Sequence, residues 1–295
     1  MKASVKGEWL ELLHWRNSKE PLPSGLEPAA ELAKRMNWPE NYLVKLLRQG
    51  ELRFKGPRAL LHVLQPEEPG FAPDWTLPEV LYEDEWCMVV YKPAGISVHP
   101  AEPGQDGTLA NRVAGYLLHT GQPRAVRHIH RLDKETSGPV LYAKHALAHA
   151  VLDEAMREKR IVREYAALVQ GTPSPRKGTI RAGIAKDRHV SGKRRVSPAG
   201  DAAVTHYEVG QTFDRTKSSL VRLRLETGRT HQIRVHLSSM GHPLLGDKLY
   251  GGSTDYIRRQ ALHGERIIFA HPLTGEQIEI EAPFPAELQQ LLLKL

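Results

Sequence analysis

Residues 130–144, HRLDKETSGPVLYAK, join a polar loop to an apolar segment. The segment PVLYAK predicts a β-strand, because apolar and aromatic residues fill it. The loop before it carries Asp133 and Thr136 and ends at Gly138. Two explanations fit this loop. Asp133 could cap a local turn, or a rigid scaffold could present its carboxylate for chemistry.

Three further polar segments follow, and each has a structural explanation beside a functional one. In REYAALVQG (163–171), Tyr165 is either an ordinary strand aromatic or a ring that stacks on a base. TGRTHQIRVH (227–236) is either a solvated helix face or part of a site. GHPLLGDKLYG (241–251) is interpreted as a structural turn. The two histidines of the second segment are five residues apart, which does not fit a zinc site on one helix face.

A basic segment, KDRHVSGKRRVSPAGD, begins at residue 186. Residues 186–195 contain five Lys or Arg and one acid. A charge run is usually a solvated face. Here the glycine and serine residues make the basic segment flexible, so contact with phosphates explains the charge run as well as a solvated face does.

The regions around these segments indicate two units. Residues 1–25 lack periodicity, while residues 28–50 predict two helices and residues 51–64 two short strands. We therefore expect a small α+β unit over residues 1–70, a proline-rich linker over 71–80 and a larger domain over 81–295. The larger domain has many strands and few helices in irregular order, which predicts an α+β fold.

Composition narrows the protein class. The 295-residue chain is 40% hydrophobic and 25% charged, as in soluble globular proteins. It has no apolar run of about 18 residues and no signal-peptide pattern, so neither a membrane span nor secretion is expected. Cys87 is the only cysteine and lies in an apolar segment, which predicts a buried, inert thiol and no thiolate metal site. A cytoplasmic location is expected.

Charge points to a polyanionic partner. The formal net charge is +7 and the pI is about 9.4. Residues 1–80 hold 11 basic and 11 acidic residues, so residues 81–295 carry the whole excess. If the partner is nucleic acid, its main electrostatic contact is expected on the larger domain.

The order of the motifs identifies a family. Over roughly residues 80–285 the chain resembles the RluA-type RNA pseudouridine synthases. The matching segments are LYEDEWCMVVYKPAGISVHP (81–100), HRLDKETSGPVLYAK (130–144), REYAALVQG (163–171), AAVTHYEV (202–209), LETGRTHQIRVHLSSMGHPLLGDKLYG (225–251) and FAHPLTGEQIEIEAPFP (269–285). The resemblance implies a pseudouridine synthase fold, with a mixed, largely antiparallel central sheet flanked by helices. It also implies isomerisation of uridine in RNA without cofactor or metal.

The same resemblance implies the site residues. Asp133 would be the catalytic carboxylate, Arg229 its cationic partner, and Tyr165 the ring that stacks on the base. A buried carboxylate needs such a cation to remain ionised. Contacts with RNA are expected from a further set: His130, Arg131, Thr136, Arg234, Lys186, Arg188, Lys193, Arg194 and Arg195. Of these, His130, Arg131 and Arg234 would either shape the loop or bind the phosphate backbone.

The small N-terminal unit resembles the alpha-L RNA-binding module that precedes the catalytic domain in many relatives. Because the segment is neutral overall, we expect a degenerate module with reduced RNA affinity. Ribosomal RNA is the expected substrate and transfer RNA the second candidate. A monomer is expected.

Three other functions are weaker alternatives. A non-catalytic RNA-binding or ribosome-assembly protein could retain the fold, but an intact Asp133, Tyr165 and Arg229 argue against it. A glycoside hydrolase could use Asp133 and Glu135 as its two carboxylates, but the basic charge favours RNA. A DNA-binding helix-turn-helix at residues 28–50 would have only Lys45 and Arg48 on its second helix.

Overall fold

The structure is a computed structural model of the chain, and it describes residues 2–16, 25, 27–102 and 104–295. Within those residues, the strands form three antiparallel sheets and a separate two-stranded hairpin. The helices lie between the strands in the chain or follow them. No helix in this described part is long and apolar enough to cross a membrane. The architecture is the predicted α+β class.

The N-terminal unit contains a four-stranded antiparallel sheet and two helices. The strands are β1 (Lys2–Lys6), β2 (Trp9–Leu13), β3 (Leu52–Lys55) and β4 (Arg58–His62), in the order β1-β2-β4-β3. Helices α1 (Glu27–Met36) and α2 (Glu40–Arg48) lie between β2 and β3 in the chain. The prediction of two strands missed the β1–β2 hairpin. Strand β1 is mostly exposed and β2 mostly buried, so neither shows the alternation that identifies a strand.

The larger domain begins with a second four-stranded sheet in the order β5-β6-β8-β7. Its strands are β5 (Glu79–Glu83), β6 (Cys87–Lys92), β7 (Arg127–His128) and β8 (Gly138–Ala143). Helices α3 (Leu109–His119) and α4 (Ala146–Arg157) belong to this part. Thr108 is the N-cap of α3, where Thr108 and Asn111 form a reciprocal capping box.

The central sheet has six antiparallel strands in the order β10-β13-β14-β9-β15-β16. The remaining elements, the hairpin β11–β12 included, are β9 (Val162–Gln170), β10 (Lys177–Arg181), β11 (Ile184–Lys186), β12 (Arg194–Val196), β13 (Val204–Phe213), β14 (Ser218–Leu225), α5 (Gln232–Ser239), β15 (Leu262–Ala270), β16 (Gln277–Glu281) and α6 (Ala286–Lys294). Leu288 and Leu291 of α6 pack against Leu168 and Phe213 of this sheet.

In the described part, the sheet β5-β6-β8-β7 and the central sheet are joined by a parallel bridge between Ser137 and His263. Every pair of neighbouring strands in the described part is antiparallel apart from such isolated bridges. The largely antiparallel character of the expected sheet is therefore confirmed, whereas the parallel pairing expected of a mixed sheet is limited to an isolated bridge. The bridge matters for function because the loop that carries Asp133 ends there.

The N-terminal unit packs directly on the larger domain. Trp38 Nε1 donates to the carbonyl of Pro272 at 2.7 Å, and the Trp38 and Trp86 rings lie 5.9 Å apart. Buried residues of both units form one hydrophobic cluster. Residues 63–78 contain neither helix nor strand. The division at residues 71–80 stays a prediction, and the shared core fixes one unit against the other.

Candidate active site

Residues 130–138, termed the carboxylate loop, connect β7 to β8 and carry Asp133. The Thr136 N–H donates to the Asp133 carbonyl at 3.0 Å, which closes a turn. Next to it, the Ser137 hydroxyl lies 2.9 Å from Nδ1 of His263. These bonds hold the end of the loop against β15.

Glycine is required where the carboxylate loop enters β8. Gly138 has a φ of +137°, in a region that L side chains rarely adopt. A Cβ there would lie 2.7 Å from backbone atoms of Gly264. The two glycines let β8 and β15 approach closely, and the position of Asp133 depends on that approach.

His130 and Thr136 support the loop from inside. His130 is 7% exposed, and its Nε2 accepts the Leu141 N–H at 3.2 Å. Burial lowers the pKa of His130 to about 3, so the ring is neutral. The Thr136 hydroxyl accepts from Gln260 Nε2 at 3.1 Å. Of the two roles expected for His130, these contacts favour shaping the loop over binding phosphate, because the ring is buried, neutral and bonded within the protein.

Lys92 anchors the same loop, and the sequence analysis did not single it out. It is fully buried at the end of β6, and its ammonium donates to three carbonyls: Pro93 at 2.8 Å, Ile96 at 2.8 Å and Lys134 at 2.9 Å. Burial lowers the pKa of Lys92 to about 7, and the negative charges of Glu135 and Asp133 oppose that shift. The Lys134 carbonyl belongs to the residue after Asp133, so Lys92 holds the backbone beside the carboxylate.

The cation that contacts Asp133 is Arg234, on the first turn of α5. Its Nη1 donates to Asp133 Oδ2 at 3.2 Å. Its other two nitrogens donate to Asp247, with Nε to Oδ2 at 2.7 Å and Nη2 to Oδ1 at 2.9 Å. The guanidinium also lies 4.9 Å from the centre of the Tyr250 ring. One planar fork thus bridges two carboxylates, a geometry that an ammonium cannot reproduce.

The expectation that Arg229 pairs with Asp133 is wrong, because Arg234 makes that contact instead. Arg229 is exposed, and its Nε donates to the carbonyl of Ala202 at 3.2 Å. Between the two arginines, His231 has a φ of 59°, and this left-handed residue starts α5. Arg229 precedes that turn and Arg234 follows it, so only Arg234 reaches the carboxylate. Arg229 still lines the cavity beside Asp133.

Tyr165 lies where the sequence placed it, on β9 at the wall of the same cavity. It is 5% exposed. Burial raises the pKa of its hydroxyl, and the charge of Asp133 raises it further against the opposing effect of Arg163. The hydroxyl therefore keeps its proton near neutral pH and can act as a donor.

His231 and Tyr250 complete the surroundings of Asp133, and the sequence analysis gave neither a role. His231 Nε2 lies 4.0 Å from Asp133 Oδ2, and its Nδ1 lies 3.0 Å from the Tyr250 hydroxyl. Burial lowers the pKa of His231, while the nearby Asp133 opposes that shift. Asp247 and Tyr250 both come from GHPLLGDKLYG, for which the sequence predicts only a structural turn. This short glycine-rich loop thus supplies both the second carboxylate, Asp247, and the aromatic ring of Tyr250 beside Arg234.

The polar residues Gln232, Arg234 and His236 of α5 are buried and bonded, so a solvated face is the wrong explanation for this part of the helix. Gln232 Oε1 accepts from the Thr227 hydroxyl at 2.7 Å and from the Arg229 N–H at 3.0 Å. His236 Nδ1 lies 2.9 Å from the hydroxyl oxygen of Thr205. These bonds fix the helix against β13 and so fix the direction of Arg234.

Two cavities meet at Asp133. The inner one has a volume of about 50 Å³ and is lined by Tyr165, Arg229 and Arg234, among others. This is space for a few water molecules. The outer cavity, of about 650 Å³, is lined by Asp133, Arg234 and the exposed Arg131.

Residues 184–196, termed the basic hairpin, contain β11, β12 and the turn between them. The sequence predicts a loop here, and the structure shows a short hairpin. The Arg194 N–H donates to the Tyr250 hydroxyl at 2.8 Å, and Lys193 Nζ lies 5.5 Å from the centre of that ring. Lys186, Arg188 and Arg195 are exposed. The hairpin therefore adjoins the site through Tyr250 and directs most of its charge to solvent.

One group in the described part has the composition of a metal site: Asp84, Cys87 and His271, whose ligand atoms lie within 4.8 Å of one another. The Asp84 carboxylate already accepts from the Tyr82 hydroxyl, from two backbone N–H groups and from His271. Cys87 is buried as predicted, and burial raises the pKa of its thiol. The hydrogen bonds of Asp84 therefore indicate a structural role for this cluster, in which Asp84 connects neighbouring segments of the chain.

Comparison with known proteins identifies the family to which the chain belongs. A family model described as RNA pseudouridylate synthase matches residues 87–239, which include the carboxylate loop, Tyr165 and the whole of α5. The chain belongs to this family. It is an RNA pseudouridine synthase of the RluA type, as the order of its motifs implied.

Individual relatives cover most of the chain. It is 43% identical over 293 residues to the "Uncharacterized RNA pseudouridine synthase YhcT" of Bacillus subtilis, covering 97% of both chains. It is 42% identical to the "Ribosomal large subunit pseudouridine synthase D" of Xylella fastidiosa, over 74% of this chain and 69% of that protein. The solved structure of "Human RNA Pseudouridylate Synthase Domain Containing 4" is similar with a TM-score of 0.60 and 26% identity, over 73% of this chain and 92% of that one.

Proposed function

We propose that this enzyme converts specific uridines of structured ribosomal RNA to pseudouridine, with Asp133 as the catalytic carboxylate. The observation that carries the proposal is the Asp133–Arg234 contact of 3.2 Å at the wall of the cavity that contains Tyr165. Similarity to proteins named for the large ribosomal subunit supports ribosomal RNA as the substrate. Transfer RNA is the second candidate. Action as a cytoplasmic monomer remains our expectation.

The reaction places clear demands on the site. The bond between N1 and C1′ breaks, the base turns while bound, and a bond forms between C5 and C1′. The proton on C5 then leaves. The target base must first leave its stack, at a cost of a few kcal/mol. A carboxylate must then lie against the ribose in ionised form.

Asp133 meets the second demand. Its side chain is 19% exposed, so substrate can reach it, and Arg234 supplies a fixed positive charge on one oxygen. The carboxylate can act as a nucleophile at C1′ or as a base toward a ribose proton, and both routes need it ionised. Because Arg234 is held by Asp247 as well, its charge is already in place before substrate arrives.

Tyr165 and Arg229 have different parts in the proposal. The Tyr165 ring offers a wall on which the base can stack, and its protonated hydroxyl suits hydrogen-bond donation. Arg229 and Arg131 are exposed at the cavity and suit contact with the phosphates that flank the flipped nucleotide. Arg229 is thus proposed for substrate binding, and Arg234 takes the role of the carboxylate's partner.

The test is release of tritium from ribosomal RNA that carries 5-tritiated uridine, with transfer RNA assayed in parallel. Asp133→Asn should abolish release while RNA affinity stays near wild type. Glu135→Gln, two residues away, is the matched control and should retain release. Wild-type release by Asp133→Asn would remove Asp133 from the mechanism. Free uracil as the product, with loss of activity in Glu135→Gln, would support a two-carboxylate hydrolase instead.

A further inference from the structure

The sheet of the N-terminal unit has two unlike faces. Residues directly opposite each other on neighbouring antiparallel strands project to the same face, and residues along a strand alternate between faces. One face is apolar and packs against α1 and α2. Its buried residues include Leu10, Leu12, Leu52, Ala59 and Leu61.

The strand register defines the opposite face, termed the outer sheet face. Its three rows of neighbours, read across the sheet, are Lys2, Leu13, Arg58 and Lys55; then Ser4, Glu11, Leu60 and Arg53; and finally Lys6, Trp9 and His62. Among the described residues of the unit, no helix packs there, since α1 and α2 contribute their apolar residues to the other side.

The outer sheet face is strongly basic. Its three rows hold five of the eleven Lys and Arg residues of positions 1–80 and one of the eleven acids, Glu11. A second acid, Glu8, borders the face and lies 2.8 Å from His62 Nε2, so five cations stand against two carboxylates. Glu11 is paired with Lys6 at 2.6 Å and Arg58 at 3.3 Å, and its side chain is 4% exposed. The charge presented to solvent is therefore positive. The neutral total of the segment conceals this separation, because most of its acids lie elsewhere in the unit.

Aromatic rings lie among these cations. Trp9 stacks on His62, with ring centres 4.6 Å apart and planes inclined by 19°. The guanidinium of Arg53 lies 4.8 Å from the centre of the Trp9 ring. Lys2, Arg53 and Lys55 are exposed. Cations interleaved with flat aromatic rings on an open sheet are the features with which proteins bind nucleic-acid strands.

We propose that the outer sheet face binds the sugar–phosphate backbone of the substrate RNA at a point outside the catalytic cavity. The proposal rests on the function proposed above and extends it to a second contact. The unit is fixed on the larger domain through Trp38 and Pro272, so this contact comes at a set position relative to the active site. Binding there loses little freedom compared with binding through a tethered module.

The test compares two triple variants of the full chain. Lys2→Gln, Arg53→Gln and Lys55→Gln together remove three exposed cations that have no acidic partner among the described residues, and they leave the Lys6–Glu11–Arg58 group intact. The control changes Lys34, Lys45 and Arg48 to Gln. These are exposed on the helices of the same unit, so the net charge falls equally.

Affinity for a mixed-sequence stem–loop RNA is measured against salt concentration. In the sheet variant, the slope of log K against log salt should fall by roughly 0.7–0.9 for each phosphate that a removed cation had neutralised. The control variant should keep the wild-type slope. In tritium release from ribosomal RNA, the sheet variant should need more RNA for half-maximal rate and keep its single-turnover rate at saturating RNA.

Equal slopes for the two variants, or a larger loss in the helix variant, would overturn the proposal. Binding of poly-glutamate that competes with the RNA and is abolished in the same variant would indicate an acidic protein partner and would also overturn it. Failure of the proposed function is separate, because it would appear as no tritium release by the wild-type enzyme, whatever the binding slopes.

Discussion

The carboxylate loop and the basic hairpin both line the cavity of about 650 Å³ and use charge in opposite ways. In the loop, Asp133 bonds to a guanidinium that also bonds to a second, buried carboxylate. In the hairpin, Arg188 and Arg195 are exposed, and the only acid in its turn, Asp187, accepts backbone N–H groups of that turn.

The difference concerns what each region can contribute. A charge held by several buried partners has a fixed place, so it can act on one atom of a substrate. An exposed charge is screened by salt and mobile, so it adds affinity without specifying position. We expect changes in the loop to alter chemistry and stability, and changes in the hairpin to alter affinity and its salt dependence.

After the complete loss of release expected for Asp133→Asn, the largest effect is expected at Arg234. The Arg234–Asp247 pair is almost completely buried, with side-chain exposures of 8% and 1%. Loss of one partner of such a pair costs about 3–5 kcal/mol, because the other charge remains without compensation. Arg234→Ala should therefore lower the free energy of unfolding. Because the variant also removes the cation beside Asp133, tritium release by the folded enzyme should fall by roughly 100-fold, at tenfold per ~1.4 kcal/mol of activation free energy.

Arg234→Lys separates folding from catalysis. It retains the charge but cannot bridge Asp133 and Asp247 with one planar group. Urea denaturation should show a smaller loss of stability than in Arg234→Ala, while single-turnover release remains well below wild type. Wild-type rates in the folded lysine variant would show that the fork has no part in the reaction.

A smaller effect is expected at His130, and it depends on pH. Its folded pKa of about 3 lies below the ordinary value of 6.5, so between these values the unfolded chain binds a proton that the folded one does not. This contribution is present above pH 6.5 and is lost as pH falls toward 3. His130→Leu leaves the buried Leu141 N–H without its acceptor, at a cost of about 1–3 kcal/mol near neutral pH.

The same variant should lose less stability on acidification than the wild type does between about pH 6.5 and 4, as measured by urea denaturation at each pH. His119→Gln, at an exposed histidine on α3, is the control and should follow the wild type. Parallel wild-type and His130→Leu curves would contradict the assignment of a neutral, structural His130.

In the basic hairpin, Lys193, Arg194 and Arg195 changed together to Ser should weaken RNA binding with little effect on folding. The slope of log K against log salt should fall by roughly 0.7–0.9 for each phosphate that the variant no longer neutralises. The Arg194 backbone N–H still bonds to Tyr250, so the hairpin keeps that attachment. An unchanged slope would show that the hairpin charges are a solvated face.

The smallest effect on the chemical step is expected at Arg229. Since its guanidinium bonds to the Ala202 carbonyl and lies at the cavity mouth, Arg229→Ala should raise the RNA concentration for half-maximal rate. Single-turnover release at saturating RNA should stay within about tenfold of wild type, or ~1.4 kcal/mol. A loss at saturation as large as that of Arg234→Ala would restore Arg229 to the role that the sequence suggested.

The two arginines show where prediction from sequence ends. The segment TGRTHQIRVH contains both Arg229 and Arg234, and its sequence does not show which of them pairs with Asp133. The left-handed backbone of His231 decides between them, because it turns the chain between Arg229 and α5. The sequence alone did not indicate this conformation, since the residue is not glycine.

Local patterns did determine much of the molecule. The apolar segment after HRLDKETSG forms β8, the capping pair Thr108–Asn111 starts α3, and the motif order identified the family. These features depend on neighbouring residues or on whole segments, which the sequence displays directly.

The tertiary structure decided the contacts between distant segments. Asp133 and Arg234 are 101 residues apart, and Lys92 reaches the Lys134 carbonyl across 42 residues. Likewise, the basic outer sheet face exists only because strands from both ends of the N-terminal unit align in one register. A sequence specifies which side chains are available, whereas their partners depend on how strands and helices pack, and hydrogen bonds and ion pairs act only over a few ångströms.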